Sequence, residues 1–164
     1  MLLSEYMGKV LEAEATGEYN GRDMVLAVDC TEDGSAESPS AYTYAGAHIE
    51  NYGATLNPKT EDKSYVYEGD STLKLSTQRV FSVTGQRLLS DAFQDFICSH
   101  AVAFGKGSQV QRPYVYFHSG TKKGEQGICT IIVNNDGNGA ASSPADIDVE
   151  LRCHSTKEYT YSGT

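Results

Sequence analysis

From Ile147 to Cys153 every second residue is apolar, namely Ile147, Val149, Leu151 and Cys153, and Asp146, Asp148, Glu150, Arg152 and His154 fill the positions between and beside them. A strand turns successive side chains to opposite faces, so a period of two sets one face on a core and the other in water. An α-helix would scatter these apolar side chains around its circumference. The segment therefore demands a half-buried strand, of the kind antiparallel sheets supply. Sixteen Gly, eleven Tyr and no Trp point the same way, toward strands and turns. A chain of 164 residues suits one domain with one core, burying about 70% of its unfolded surface. The expected fold class is mainly β, a β-sandwich or distorted barrel with one α-helix packed on it, formed as a single domain over residues 1–164.

Further strands are expected at "MVLAV" (Met24 to Val28), over Tyr42 to Leu56, at "RPYVYFH" (Arg112 to His118) and at "GICTIIVN" (Gly127 to Asn134). The "IIV" run reads as buried on both faces and so central, and "KEYTYSGT" could add a short terminal strand. "DCTEDGSAESPSA" (Asp29 to Ala41) is a polar loop, and Asn57-Pro58 is a turn signal. The single helix is "SDAFQDFICSHAVAFG", with Ser90 as N-cap, Asp91 in the first turn and Gly105 past the end. Its stripe of Phe93, Phe96, Ile97, Ala101 and Phe104 should face the core. Leu2, Leu3, Tyr6, Met7, Val10 and Leu11 fit either an amphipathic helix or an exposed segment, residues 1–23, that orders only on assembly.

Residues 60 to 87, "TEDKSYVYEGDSTLKLSTQRVFSVTGQR", read as one long ribbon. Leu73, Leu75, Phe81 and Val83 share a face at period two, but Thr77 and Arg79 interrupt it. The middle is too polar for a core, which implies a strand that runs past the core or bends at a bulge. About ten such residues would span roughly 33 Å, beyond the usual strand length.

The formal charge is −9, and residues 1 to 37 hold −7 of it, nine acids against Lys9 and Arg22. Such acidity argues against DNA binding through phosphate contacts, although it suits a surface that DNA must pass without sticking. No run of 18 apolar residues and no basic leader occurs, so a soluble protein made in the cytoplasm, with no membrane association, is expected. Cys30, Cys98, Cys129 and Cys153 form no CxxC pair and are expected to be reduced thiols.

Three chemistries have candidate residues in the chain. In "NNDGNG", Asn134, Asp136, Asn138 and Gly139 match positions 1, 3, 5 and 6 of a calcium loop, but position 12 is Ala145 where the bidentate Glu is needed. A glycine-rich hairpin connection accounts for it better. Cys98, His100, Cys129, Cys153 and His154 lack chelating spacing for zinc. No GxSxG, Walker or Rossmann glycine pattern is present, and Asp91 and Asp95 read as helix N-terminal charges. No catalytic residue, metal or cofactor is expected.

In order, "LNPKTEDKSYVYEGDSTLKLSTQRVFSVTGQR", "SDAFQDFI" and a strand pair joined across "NNDGNGAASSPAD" resemble the tail tube proteins, or major tail proteins, of long-tailed bacteriophages. The resemblance covers about residues 42 to 161 and rests on segment order. It implies a structural, non-enzymatic virion protein that forms hexameric rings stacked into a hollow tube, related to the tubes of contractile tails and tailed bacteriocins. DNA would pass through without specific binding. Implied partners are further copies of the chain and other tail proteins (tip, terminator and tape measure), with assembly in the host cytoplasm. By position, residues 57–72 would be an extended loop reaching the adjacent ring, with Asn57, Pro58, Lys59, Glu61, Asp62, Lys63, Tyr65, Tyr67, Glu68 and Asp70 as contacts. Lys74, Ser76, Gln78 and Arg79 would lie on a channel-wall strand. The competing reading is a monomeric β-sandwich binding module or head decoration protein, whose many Tyr would suit ligand or protein contact.

Overall fold

The computed structural model describes residues 1–10 and 20–163. Its strands are β1 (Met24–Val28), β2 (Thr43–Tyr44), β3 (Ile49–Thr55), β4 (Pro58–Tyr65), β5 (Gly69–Thr77), β6 (Val80–Gln86), β7 (Gln111–His118), β8 (Lys123–Asn138) and β9 (Asp146–Thr160). The helices are α1 (Leu3–Lys9), α2 (Ala92–Ile97) and α3 (His100–Ala103). Seven strands form one curled antiparallel sheet in the order β2-β1-β7-β8-β9-β6-β3, and β4 and β5 pair only with each other. The chain is mainly β, as its alternating pattern requires, and the bulk of it is one bent sheet with helices on it.

The core lies on both sides of one end of this sheet. Leu26, Val28, Phe81, Val83, Tyr114, Cys129, Ile131, Val149, Leu151 and Cys153 face α2 and α3, which contribute Phe93, Ile97 and Val102. On the other side Val25, Ala27, Val115 and Phe117 pack with Leu3 and Tyr42. The strand buried on both faces is therefore β1, whereas in the "IIV" run of β8 only Ile131 is buried and Ile132 and Val133 are half-exposed. β8 is central in strand order, as expected, but Ile132 on its second face is half-exposed. In β9, Ile147, Val149, Leu151 and Cys153 are buried while Arg152 and His154 are exposed, the phase that the alternation dictated.

"KEYT" belongs to β9 itself. It continues the pairing with β8 past an irregularity between Gln126 and Ile128, so the last two long strands make one hairpin joined across residues 139–145. At the N-terminus α1 is a helix seated by Leu3, whose N–H donates to the Tyr42 carbonyl at 2.7 Å. Tyr6, Met7 and Val10 are half-buried and Leu2 is exposed; Leu11 lies outside the described residues.

The expected single helix is two. Asp91, not Ser90, is the N-cap: its Oδ2 accepts from the Gln94 N–H at 3.1 Å, and Ser90 has a left-handed φ of 68°. Ser99 is extended (φ −63°, ψ 149°) and its hydroxyl donates to the Phe96 carbonyl at 2.6 Å, so the helix stops and restarts at His100. The change of direction removes Ala101 and Phe104 from the inward stripe. Phe93 and Ile97 are fully buried and Phe96 is half-buried, but Phe104 is 72% exposed, which corrects its expected place in the core.

Candidate assembly surfaces

The ribbon at residues 60–87 bends, and the bend makes two structures of it. β4 and β5 form a free-standing hairpin, an arm, in which Tyr65 pairs with Gly69 and Pro58 with Thr77. Gly69 has φ 76°, the left-handed conformation that a tight hairpin end needs and glycine adopts at no steric cost. Every residue from Pro58 to Gln78 is exposed except half-buried Ser71. The expected extended loop is thus a β-arm whose second strand runs on to Thr77. It contains Lys59, Glu61, Asp62, Lys63 and Tyr65 on its first strand, Tyr67 and Glu68 at its tip, and Asp70 on its second; Asn57, at φ 38°, turns the chain into it and Pro58 begins it.

Lys74 and Ser76 also lie in the arm, and Gln78 and Arg79 form the joint between β5 and β6. None of the four lies in the seven-stranded sheet. The physical reason is the interrupted apolar face. Leu73 and Leu75 lie outside the core in the arm, with Leu75 unpaired where the register shifts between Lys59 and Thr60, while Phe81 and Val83 are fully buried in β6. Arg79 anchors the joint. Its Nε pairs with Glu125 Oε1, both side chains are 18% exposed, and its guanidinium lies 5.5 Å from the Phe81 ring centre and 5.7 Å from that of Tyr116. The Gln78 N–H donates to the Leu56 carbonyl at 3.0 Å and the Cys153 N–H to the Arg79 carbonyl at 2.9 Å.

One feature of the arm bears on its purpose. Tyr65, Lys63 and Glu61 stand opposite Gly69, Ser71 and Leu73, so Tyr65 and Leu73 share a face with the Glu61–Lys63 ion pair, and both are exposed. The other face carries Thr60, Asp62, Thr72 and Lys74, with the Thr72 hydroxyl donating to Asp62 at 2.7 Å. An isolated two-stranded hairpin is at best marginally stable in water.

A second surface is the sheet face turned away from α2 and α3. Across β3, β6, β9 and β8 the register aligns Gly53, Ser82, Glu150 and Ile132 in one row and Asn51, Thr84, Asp148 and Asn135 in the next. Asp146 and Arg152 flank these rows, and Arg152 Nε pairs with Glu150 at 2.6 Å. This polar, net acidic face was already written in the β9 alternation, but the apolar half of that pattern drew the attention.

The thiols are poorly suited to nucleophilic chemistry. Burial pushes Cys30 and Cys153 up to about 12 and Cys129 well above its ordinary value. Cys129 and Cys153 face each other across β8 and β9 as free thiols. Among the described residues no three side chains able to ligate a metal come together, and residues 134–139 are an exposed strand end and turn. No described helix is long and apolar enough to cross a membrane.

No protein-family model matches the chain, and no curated protein does. Solved structures do. The chain is similar to one from the tail of an empty gene transfer agent particle, determined by helical refinement with C6 symmetry, with a TM-score of 0.58 and 13% identity over 88% of this chain and 100% of that one. A chain of the native gene transfer agent virion matches with a TM-score of 0.57 and 13% identity, over the same shares. At this identity the likeness establishes the fold alone, a mainly β fold shared with these chains of gene transfer agent particles.

Proposed function

We propose that this chain is a structural subunit of a phage-type tail tube, forming stacked hexameric rings through whose channel DNA is delivered. The observation that carries this reading is the arm: about twenty residues of hairpin standing clear of the body, with Val66 and Tyr67 fully exposed at its tip and Tyr65, Leu73 and Leu75 exposed along its strands. A lone hairpin gains too little from its own contacts to remain formed, so these side chains need a surface supplied by another copy. The tail fold shared with the gene transfer agent structures supports the same assignment, and the C6 symmetry of one of them supports the count of six.

In this arrangement the arm, with Asn57 to Asp70 at its leading strand and tip, grips the adjacent ring, while Lys74 and Ser76 belong to its return strand and Gln78 and Arg79 set its angle. The polar face of β3-β6-β9-β8 lines the channel, presenting Asp146, Asp148 and Glu150 to passing DNA. Acidic side chains there repel phosphate and so discourage adhesion. Other tail proteins at the tip and terminus, and a tape measure inside, complete the partners; the protein resides in the virion tail after assembly in the host cytoplasm. Catalysis has no part in it.

Electron microscopy of concentrated protein, alone and with tail-tip components, should show rings or tubes about 100 Å across, a size set by six domains of roughly 30 to 40 Å around a ring. Persistent monomers with a tip complex present would refute the tube. Deleting Glu61 to Asp70 should leave a folded monomer that no longer stacks, and normal tubes from that deletion would remove the arm from the inter-ring contact.

A further inference from the structure

The arm needs a receptor, and one side of the body looks made for its tip. Val66 and Tyr67 at the tip are fully exposed, and among the described residues no hydrogen bond, ion pair or ring contact ties them to the chain's own body. On the helical side, a cleft of about 840 Å³ lies between α3 and the loop at Cys30 to Asp33, with Phe96, Val102 and Phe104 on its walls. Phe104 is held outward rather than left loose: its ring stacks on His100 at 4.7 Å, in the short helix that the break at Ser99 redirects. An aromatic side chain this exposed beside a cleft of mixed apolar and charged lining marks an interaction surface.

We propose that this cleft receives the arm tip of a second copy in the adjacent ring, with Val66 and Tyr67 entering among Phe96, Val102 and Phe104. The inference rests on the stacking role proposed for the arm and adds where the arm lands. Charge sets the orientation. Glu68 follows directly behind the tip and has no ion pair among the described residues, and the same is true of Lys106, which follows the cleft-lining Gly105. Glu32 and Asp33 form the opposite rim, where buried Arg112 also lines the cleft and donates to the Glu32 carbonyl at 3.1 Å, so the exposed cation open to an entering carboxylate is Lys106. Length agrees as well. Eight residues of strand reach about 26 Å, and a domain of this size measures roughly 30 to 40 Å, so an arm leaving one body can reach the middle of the next.

Three sets of variants test this in protein assembled into tubes. In a Cys30→Ser background, since Cys30 itself lines the cleft as a free thiol, mild oxidation of the double variant Tyr67→Cys/Phe104→Cys should give a ladder of disulfide-linked copies on a non-reducing gel, with neither single variant doing so. Phe104→Asp should raise the concentration needed for assembly at least tenfold while the monomer keeps its circular dichroism, whereas Leu89→Asp, which removes a different exposed apolar side chain, should not. Glu68→Lys should weaken assembly and the further change Lys106→Glu should restore it. Normal tubes from Phe104→Asp with no ladder from the double variant, in a protein that loses stacking on deletion of the arm, would place the receptor elsewhere and overturn this inference alone. Normal stacking after arm deletion would overturn the arm's role and this inference with it.

Discussion

Gln94 is fully buried and joins three stretches of chain with one amide. Its Nε2 donates to the Ala47 carbonyl at 2.9 Å and the Gln86 carbonyl at 3.1 Å, and its Oε1 accepts from the Leu88 N–H at 2.7 Å. Replacing it with Leu keeps the bulk but strands these backbone groups in the interior, at about 1–3 kcal/mol for each group left unpaired. Gln94→Leu should therefore lower stability by about 3 kcal/mol, measured by urea unfolding, and Gln94→Glu should not rescue it, because a carboxylate has no donor for the Ala47 and Gln86 carbonyls and would be buried facing them. Nothing in the sequence marked this residue, since a Gln inside a helical segment reads as a surface position. The neighbouring cap shows a similar limit. Ser90 and Asp91 are both good caps by type, and only the backbone decides, by being left-handed at Ser90 and extended at Asp91.

At the scale of elements the arm depends on how β3 is laid on β6. A Cβ on Gly85 would sit 2.2 Å from the His48 carbonyl oxygen and 2.9 Å from the Ile49 Cα, at the register shift between Ile49 and Asn51. These contacts are with backbone, so a side chain there forces β3 away from its partner. Gly85→Ala should lose about 3 kcal/mol of stability, in the range of overpacked sites. Because β3 feeds directly into the arm, hydrogen exchange should quicken in residues 49–55 and 58–77 together while β1 and β7 keep their protection; unchanged exchange in both segments would show that the close approach is not structural. The strands themselves were largely legible, since β1, β7 and β9 follow apolar patterns that only a sheet satisfies. The arm was legible as an oddity but not as a hairpin. Its polarity revealed that it leaves the core, but the fold-back at residues 66–68 lacks an Asn-Gly or Asp-Gly signal, and its glycine, Gly69, lies just past the turn. The helix break escaped for a comparable reason: one extended residue at Ser99 carries no periodicity of its own.

For the molecule as a whole, buried acids of high pKa give stability a definite pH dependence. Burial pushes the Cys30 and Cys153 thiols and the Tyr159 phenol up to about 12, and raises Cys129, Tyr44, Tyr52 and Tyr114 above their ordinary values. The unfolded chain ionises these thiols near 9.0 and phenols near 10.0, while the folded chain keeps their protons. Folded-state values above the unfolded ones mean that stability is whole below about pH 9 and declines as pH rises toward 12. Urea midpoints should be flat from pH 7 to 8.5 and fall steeply between 9.5 and 11.5; a flat profile through pH 11 would show these groups to be accessible to water in the native state.

The period of two in β9, the weight of Gly and Tyr and the polar centre of the ribbon determined, without any structure, a mainly β chain with a segment that does not belong to its own core. These are local properties, fixed by how a strand alternates its faces and by what water will tolerate. Which residues make the arm, how the polar positions of β3, β6, β9 and β8 line up in rows and why Phe104 stands in solvent were decided only by tertiary structure. Each depends on where the chain turns back or changes direction, and such turns arise from long-range packing on β6, β8 and β9 that no short stretch of sequence encodes.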